Sequence, residues 1–188
     1  MQVKLQKYPS DDDWMLCKTI TLSTVGKKNI TAPTSEWKHK ILEARHSPIR
    51  TLNYYFELID IPYYVSVHLC RHSHSLPFVQ TQRTDRTGID RNNLPQNAPV
   101  TMWYVVNAEE LQVIANKRLC NQASLETRQI VQRMCCLAEE ATPELHGLLV
   151  PMCEYGRCHE MFPCGRADKD KAEPQSNVYM YRKDDVLL

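Results

Sequence analysis

The stretch Leu52-Asn53-Tyr54-Tyr55-Phe56-Glu57-Leu58-Ile59-Asp60-Ile61, running into Pro62-Tyr63-Tyr64-Val65, decides the fold class of this chain. Its first part is rich in aromatic and β-branched residues, the composition of a strand on a pleated, half-buried surface. Pro62 fixes φ near the helical value and lacks the N–H that a first helical residue leaves unpaired anyway. A strand over 52–61 is therefore expected to pass directly into a helix over 63–72, with Tyr64, Val67, His68 and Arg71 near one face. A chain of strands and helices of this kind is expected to build an α+β architecture, a mixed or antiparallel sheet with packed helices.

Upstream, Val3–Tyr8 and Met15–Ser23 read as strands around a turn at Pro9–Asp13. Thr34–Ala44 reads as a helix with Trp37, Ile41 and Leu42 on one face, ended by Ser47-Pro48. Downstream, Phe78–Arg83 is expected to be short and extended, and Thr84–Pro99 a loop holding Gly88, Pro95 and Pro99. Val100–Val106 fits either a buried strand or a first helical turn, since periodicity does not separate the two. Asn107 with Glu110 three residues later has the form of a capping box opening a helix over 108–119. A second helix is expected over about 123–140, and a short one over 143–149. From Pro151 the chain is irregular and Cys-rich, and beyond Gly165 it is charged. The expected division is an α+β domain over 1–150 and a Cys-rich loop and charged tail over 151–188.

The 188 residues carry 23 Lys and Arg against 22 Asp and Glu, a formal charge of +1. That balance argues against DNA or RNA as the main partner and against a polybasic membrane surface, while leaving room for a local cationic pocket. A hydrophobic fraction of 43% excludes disorder of the whole chain. Only five glycines are present and no Gly-rich phosphate loop is found. No apolar run approaches the ~20 residues that span a bilayer. Met1-Gln2-Val3-Lys4-Leu5 lacks a signal-peptide core, so a soluble cytoplasmic protein is expected, with its eight cysteines as thiols or metal ligands.

Two regions concentrate chemistry. Arg71-His72-Ser73-His74-Ser75 is followed by Gln80-Thr81-Gln82-Arg83, and two arginines leaving consecutive elements are able to converge on an anion. The plain alternative is a solvated helix end. His68 and His72 have the i, i+4 spacing of a zinc pair, but ordinary polar helix residues fit as well. The second region, Cys153-x4-Cys158-His159-x4-Cys164, offers three thiols and an imidazole, enough for a Cys3His zinc site or an iron–sulfur cluster, or simply free cysteines in a loop. No Ser-His-Asp arrangement is readable from the order of residues.

The pattern resembles the flavin-dependent thymidylate synthases, whose signature is RHRxxSxNExSxR. Arg71, His72 and Arg83 stand in register with its outer arginines and histidine, and Pro62-Tyr63-Tyr64-Val65 opens the preceding helix at the family's distance. Arg91-Asn92-Asn93-Leu94-Pro95 is similar to ARxxLP, Val106-Asn107-Ala108 to VNAR, and Ala123-Ser124-Leu125-Glu126-Thr127-Arg128 to AQxEIR. The resemblance covers residues 46–130. It implies that Arg83, Arg91 and Arg118 bind a pyrimidine deoxynucleotide, dUMP, and that Arg71, His72 and Asn107 contact FAD. It further implies a homo-oligomer, tetramer or dimer, with sites shared between subunits. The reaction is methylene transfer from a reduced folate, completed by flavin hydride to give dTMP, with no protein nucleophile required.

The chain also departs from the family. The second signature Arg is Ser73, the Asn-Glu pair is Phe78-Val79, and the signature serines are Leu76 and Thr81. The VNAR Arg is Glu109, the flavin-contacting Asn and His fall at Val113 and Gln122, and a helical insert between Arg83 and Arg91 is absent. These losses fall mainly on the flavin side. They make a non-flavin nucleotide-binding or interaction protein the alternative to an enzyme, with zinc or iron–sulfur at the C-terminal cysteines as a further expectation.

Overall fold

A computed structural model describes residues 1–28, 31–156, 158 and 160–167. In chain order the elements are β1 (Gln2–Lys7), α1 (Asp11–Ser23), α2 (Ser35–Glu43), β2 (Asn53–Pro62), α3 (Tyr63–Cys70), β3 (Ser75–Val79), α4 (Thr84–Thr87), β4 (Pro99–Asn107), α5 (Ala108–Arg118) and α6 (Leu125–Ala141). The four strands form one antiparallel sheet in the order β1-β2-β4-β3. The architecture is α+β, as expected.

The sheet buries one face. Tyr54, Phe56 and Leu58 of β2 alternate with half-exposed residues, and Met102, Tyr104 and Val106 of β4 do the same one strand over. Leu111, Ile114 and Ala115 of α5 and Ile130, Val131 and Met134 of α6 complete this core. The opposite face is open: Phe78 of β3 stands opposite Trp103 of β4, and both are exposed. Pro77 lies in β3, an edge strand, where its missing N–H removes no ladder bond from the sheet interior. Between Leu58 and Ile61 the β2–β4 register slips. Asp60 has φ +54° there, a conformation that Asp tolerates better than most residues.

Met15–Ser23 is helical, not a strand. Ser10 caps α1, its hydroxyl accepting the Asp13 N–H while the Asp13 carboxylate accepts the Ser10 N–H. Asp11, Asp12 and Asp13 fill the first turn, where the helix dipole favours negative charge. Thr19 and Thr21 satisfy their hydroxyls on the carbonyls of Met15 and Cys17, each at 2.8 Å. Trp14, Cys17 and Lys18 bury one helical face. The capping signal and the burial outweigh the β-propensity of the Thr-Ile-Thr-Leu run.

Three smaller corrections follow. Pro62 ends β2 and is the N-cap of α3 rather than its first residue. The 84–99 segment is not all loop, since it carries α4 and a 3-10 turn over Arg91–Asn93. The expected short helix over 143–149 is only a 3-10 turn, Pro143–Leu145. Val100–Val106 is strand, within β4. Residues 151–156 pack back on the α+β core: Asn116 Nδ2 donates to the Val150 carbonyl at 2.6 Å, and Arg45 Nη2 donates to Asn116 Oδ1 at 2.7 Å and to the Tyr155 hydroxyl at 3.3 Å. Among the described residues no helix is long and apolar enough to cross a membrane.

Asn107 caps α5, its Oδ1 accepting the Glu110 N–H at 2.9 Å. Asn107→Ala is expected to cost about 1 kcal/mol, the usual price of a lost N-cap. An unchanged denaturation midpoint would show that the cap contributes nothing.

Candidate functional site

The site is built where the C-terminal end of α3 meets the side of α5. α3 ends at Cys70 with Arg71 as its cap residue, and the hydroxyl of Tyr104 on β4 donates to the Leu69 carbonyl at 3.0 Å, fixing that end to the sheet. α5 leaves β4 at Asn107 and brings Glu110 to its start and Arg118 to its last turn. Between them sits His72, 8% exposed.

Both ring nitrogens of His72 are occupied. Arg118 Nε donates to His72 Nε2 at 3.0 Å, and Arg118 Nη2 donates to the His68 carbonyl at 2.9 Å. A guanidinium N–H only donates, so Nε2 is the acceptor and the ring proton lies on Nδ1. Nδ1 then donates to Glu110 Oε1 at 3.2 Å. The other oxygen, Oε2, lies 3.3 Å from Nδ1 of His74, whose side chain is 73% exposed. A connected line thus runs from solvent through His74, Glu110 and His72 to Arg118.

Electrostatics agree with that tautomer. Burial, then the charges of Arg118 and Arg71, push the His72 pKa down to about 4, so the ring is neutral near neutral pH. Burial raises the Glu110 pKa, opposed by His74. His68 is lowered by burial and the same two arginines. Its Nδ1 lies 3.1 Å from the Thr127 hydroxyl at the start of α6, and Ser124 Oγ lies 2.8 Å from that hydroxyl. His68 Nδ1 and both nitrogens of His72 are therefore engaged by separate partners.

The other residues singled out by sequence lie as follows. Arg71 is exposed, and its guanidinium makes no hydrogen bond or ion pair among the described residues. Arg83 is the cap residue before α4 and holds Asp85 through two bonds of 3.0 and 2.8 Å. Arg91 opens the 3-10 turn, its backbone N–H reaching Thr84 Oγ1 at 3.4 Å, and its side chain is exposed. Arg83 and Arg91 thus share one exposed loop. The structure joins Arg118, His72 and Glu110 by hydrogen bonds, with Arg71 close enough to act on them electrostatically. Among the described residues no hydrogen bond or ion pair ties Arg83 or Arg91 to that group.

Glu110 is the functional residue that sequence reasoning missed. Its position marked it as the return partner of a capping box with Asn107, but its carboxylate turns inward to His72 and His74 instead. Two imidazole donors in a buried setting outweigh one backbone N–H. Glu109, at the family's Arg position, pairs with Arg50. Gln122, at a family flavin position, donates to the Phe162 carbonyl at 2.7 Å.

The described residues of the Cys-rich segment lie against the end of α5. Cys153, Cys158 and Cys164 line one small cavity there, and Cys120 lines it with them. His159 lies outside the described residues. Among the described residues no three His, Cys, Asp or Glu side chains already stand close enough together to hold a metal ion.

Comparison with known proteins places the fold. The family described as thymidylate synthase complementing protein matches residues 89–144, under a third of the chain. No curated protein matches the sequence. Solved structures share the fold. A thymidylate synthase X (ThyX) from Helicobacter pylori, solved with FAD and dUMP, superposes with a TM-score of 0.63 at 15% identity, over 79% of this chain and 99% of that one. A UMP/dUMP methylase, PolB, from Streptomyces cacaoi bound with 5-Br dUMP superposes with a TM-score of 0.59 at 14% identity, over 78% and 93%. The chain is ThyX-like in fold and in the matched segment.

Proposed function

From a chain with the ThyX fold, we propose a thymidylate synthase-like protein that binds dUMP and catalyses flavin-dependent methyl transfer to give dTMP. The observation that carries this reading is the Arg118–His72–Glu110 line beside Arg71, whose guanidinium has no partner among the described residues, so that two guanidinium groups stand near each other for a nucleotide anion. The H. pylori ThyX and the S. cacaoi methylase were solved with dUMP and its 5-bromo analogue, which supports a pyrimidine nucleotide as the ligand.

Each group has a defined part. Arg118 presents its remaining N–H groups to the nucleotide while His72 and the His68 carbonyl hold the guanidinium plane. A fixed fork loses little freedom on binding, which is where arginine exceeds lysine. Glu110 holds the His72 proton on Nδ1 and thereby leaves Nε2 free to accept from Arg118. Arg83 and Arg91, on their exposed loop, reach the nucleotide from a second copy of the chain, in keeping with a homo-oligomer whose sites are shared. Catalysis then rests on positioning and on charge aimed at the reacting ring.

FAD, once bound and reduced by an external reductant, would supply the hydride that converts the methylene donated by a reduced folate into the methyl group. Of the three residues assigned to it, Arg71 fits a phosphate contact directly, being exposed and without a partner among the described residues. His72 and Asn107 act from behind, because the first is buried between Arg118 and Glu110 and the second caps α5. The reduced thiols accord with a cytoplasmic setting.

These internal commitments, with Ser73 and the Arg50–Glu109 pair in place of family arginines, favour one second reading: a nucleotide binder without flavin. The visible spectrum of protein purified without air, with and without added FAD, separates the two. An oxidised-flavin envelope that shifts on binding, followed by dTMP formation from dUMP, supports the enzyme. A featureless spectrum with retained dUMP binding supports the binder.

A further inference from the structure

Cys120 sits just beyond α5, outside the Cys153–Cys164 run and invisible to any reading of that run's spacing. In the structure its side chain lines the same cavity as Cys153, Cys158 and Cys164. The cavity holds about 20 Å3. That space is about the size of one water molecule or a single ion.

We propose that this cavity is a structural zinc site with Cys120, Cys153, Cys158 and Cys164 as its four ligands. Four thiols without a redox partner are the donor set of a closed tetrahedral zinc site, with Zn–S near 2.3 Å. Four thiolates around Zn2+ leave a net charge of about −2, and the same wall carries Lys117 and Arg166 together with Glu160. Arg166 also pairs with Glu154 at 3.7 Å, so it contributes from within a small network. Asn121 Nδ2 lies 3.7 Å from Cys164 Sγ, an N–H directed at sulfur of the kind that steadies a bound thiolate.

The thiols line the wall without yet standing at ligand distance. Binding draws the Cys158 and Cys164 thiols inward onto the ion, and each thiol releases its proton to solvent. Nothing is oxidised or reduced. The consequence reaches the nucleotide end of the molecule, because Cys120 lies two residues after Arg118. Zinc would pin the last turn of α5 to the C-terminal segment and hold the Arg118 guanidinium in register.

The test is metal analysis of the full chain, purified under reducing conditions with zinc in the medium and then desalted. The expected result is about one zinc per chain, falling to less than half in Cys120→Ser and in Cys158→Ser, and staying near one in Cys136→Ser, whose thiol lies on α6 away from the cavity. Wild-type protein stripped by chelator and titrated with Co2+ should give the intense visible bands of tetrahedral thiolate coordination, which needs no variant to fold. Trace zinc with no cobalt spectrum overturns the site. So does a Cys120→Ser protein that keeps full stoichiometry, a thiol count showing disulfides among the four, or a brown iron–sulfur absorbance. No arm reads dUMP or flavin, so failure here and failure of the synthase-like reading are separate results.

Discussion

Arg118→Ala is expected to raise the dissociation constant for dUMP roughly 10- to 150-fold, the loss of about 1.5–3 kcal/mol that follows removal of a charged hydrogen bond. The same change should lower stability by about 1–3 kcal/mol, since it leaves the His68 carbonyl and His72 Nε2 without their donor. Calorimetric titration with dUMP and denaturant unfolding read the two effects separately. Arg118→Lys is the informative companion. It keeps the charge but has a single nitrogen, which cannot serve His72, the His68 carbonyl and a ligand in one plane. Recovery of stability without recovery of affinity is the expected pattern. Lys40→Ala, on the exposed face of α2, should leave affinity unchanged. Wild-type dUMP affinity in Arg118→Ala would remove Arg118 from the site.

The second large effect concerns pH. Burial alone pushes the Glu139 carboxyl of α6 up to about 7 from an ordinary 4.5. A folded-state pKa above the unfolded one means that the folded protein binds more protons between those values. The stabilising contribution is then complete below pH 4.5 and lost as pH rises through about 7. Glu139→Gln keeps the neutral shape, so it should match wild type near pH 4.5 and exceed it near pH 8 by roughly 2 kcal/mol, allowing for the partial exposure of the side chain. His72 has the opposite sign. Its folded pKa of about 4 lies below the unfolded 6.5, so its contribution is complete above 6.5 and lost as pH falls through about 4. His72 is worth roughly 3 kcal/mol over that window, and His68 is lowered in the same direction. In wild type the two opposing slopes partly cancel between pH 4.5 and 6.5. In Glu139→Gln stability should fall more steeply than in wild type as acid is added, with the raised Glu110 and Glu154 carboxyls still opposing the histidines. Parallel pH profiles for the two proteins would show that Glu139 titrates as it does in the unfolded chain.

The sequence determined a good deal of this protein by local chemistry. The Tyr-Tyr-Phe strand at 52–61 and the helix after it, the Asn107 cap and the two helices behind it all follow from composition and capping, which act over a few residues. The resemblance to the ThyX family was carried by short elements in order, and the shared fold agrees with it. Ser10 and Asp13 held an equally local signal for α1, which a run of β-branched residues obscured.

Tertiary structure alone decided the rest. Glu110 faces His72 across 38 positions of sequence, and Cys120 meets the C-terminal cysteines across more than 30, so spacing carries no trace of either. Whether Arg71, Arg83, Arg91 and Arg118 converge is likewise a matter of how β4 and α5 return beside α3. The chain closes that return for Arg118 and leaves Arg83 and Arg91 on an exposed loop. The physical reason is common to all three cases. Strand and helix formation are governed by neighbours in sequence, whereas a site is made of charges and thiols whose partners are chosen by which buried faces meet.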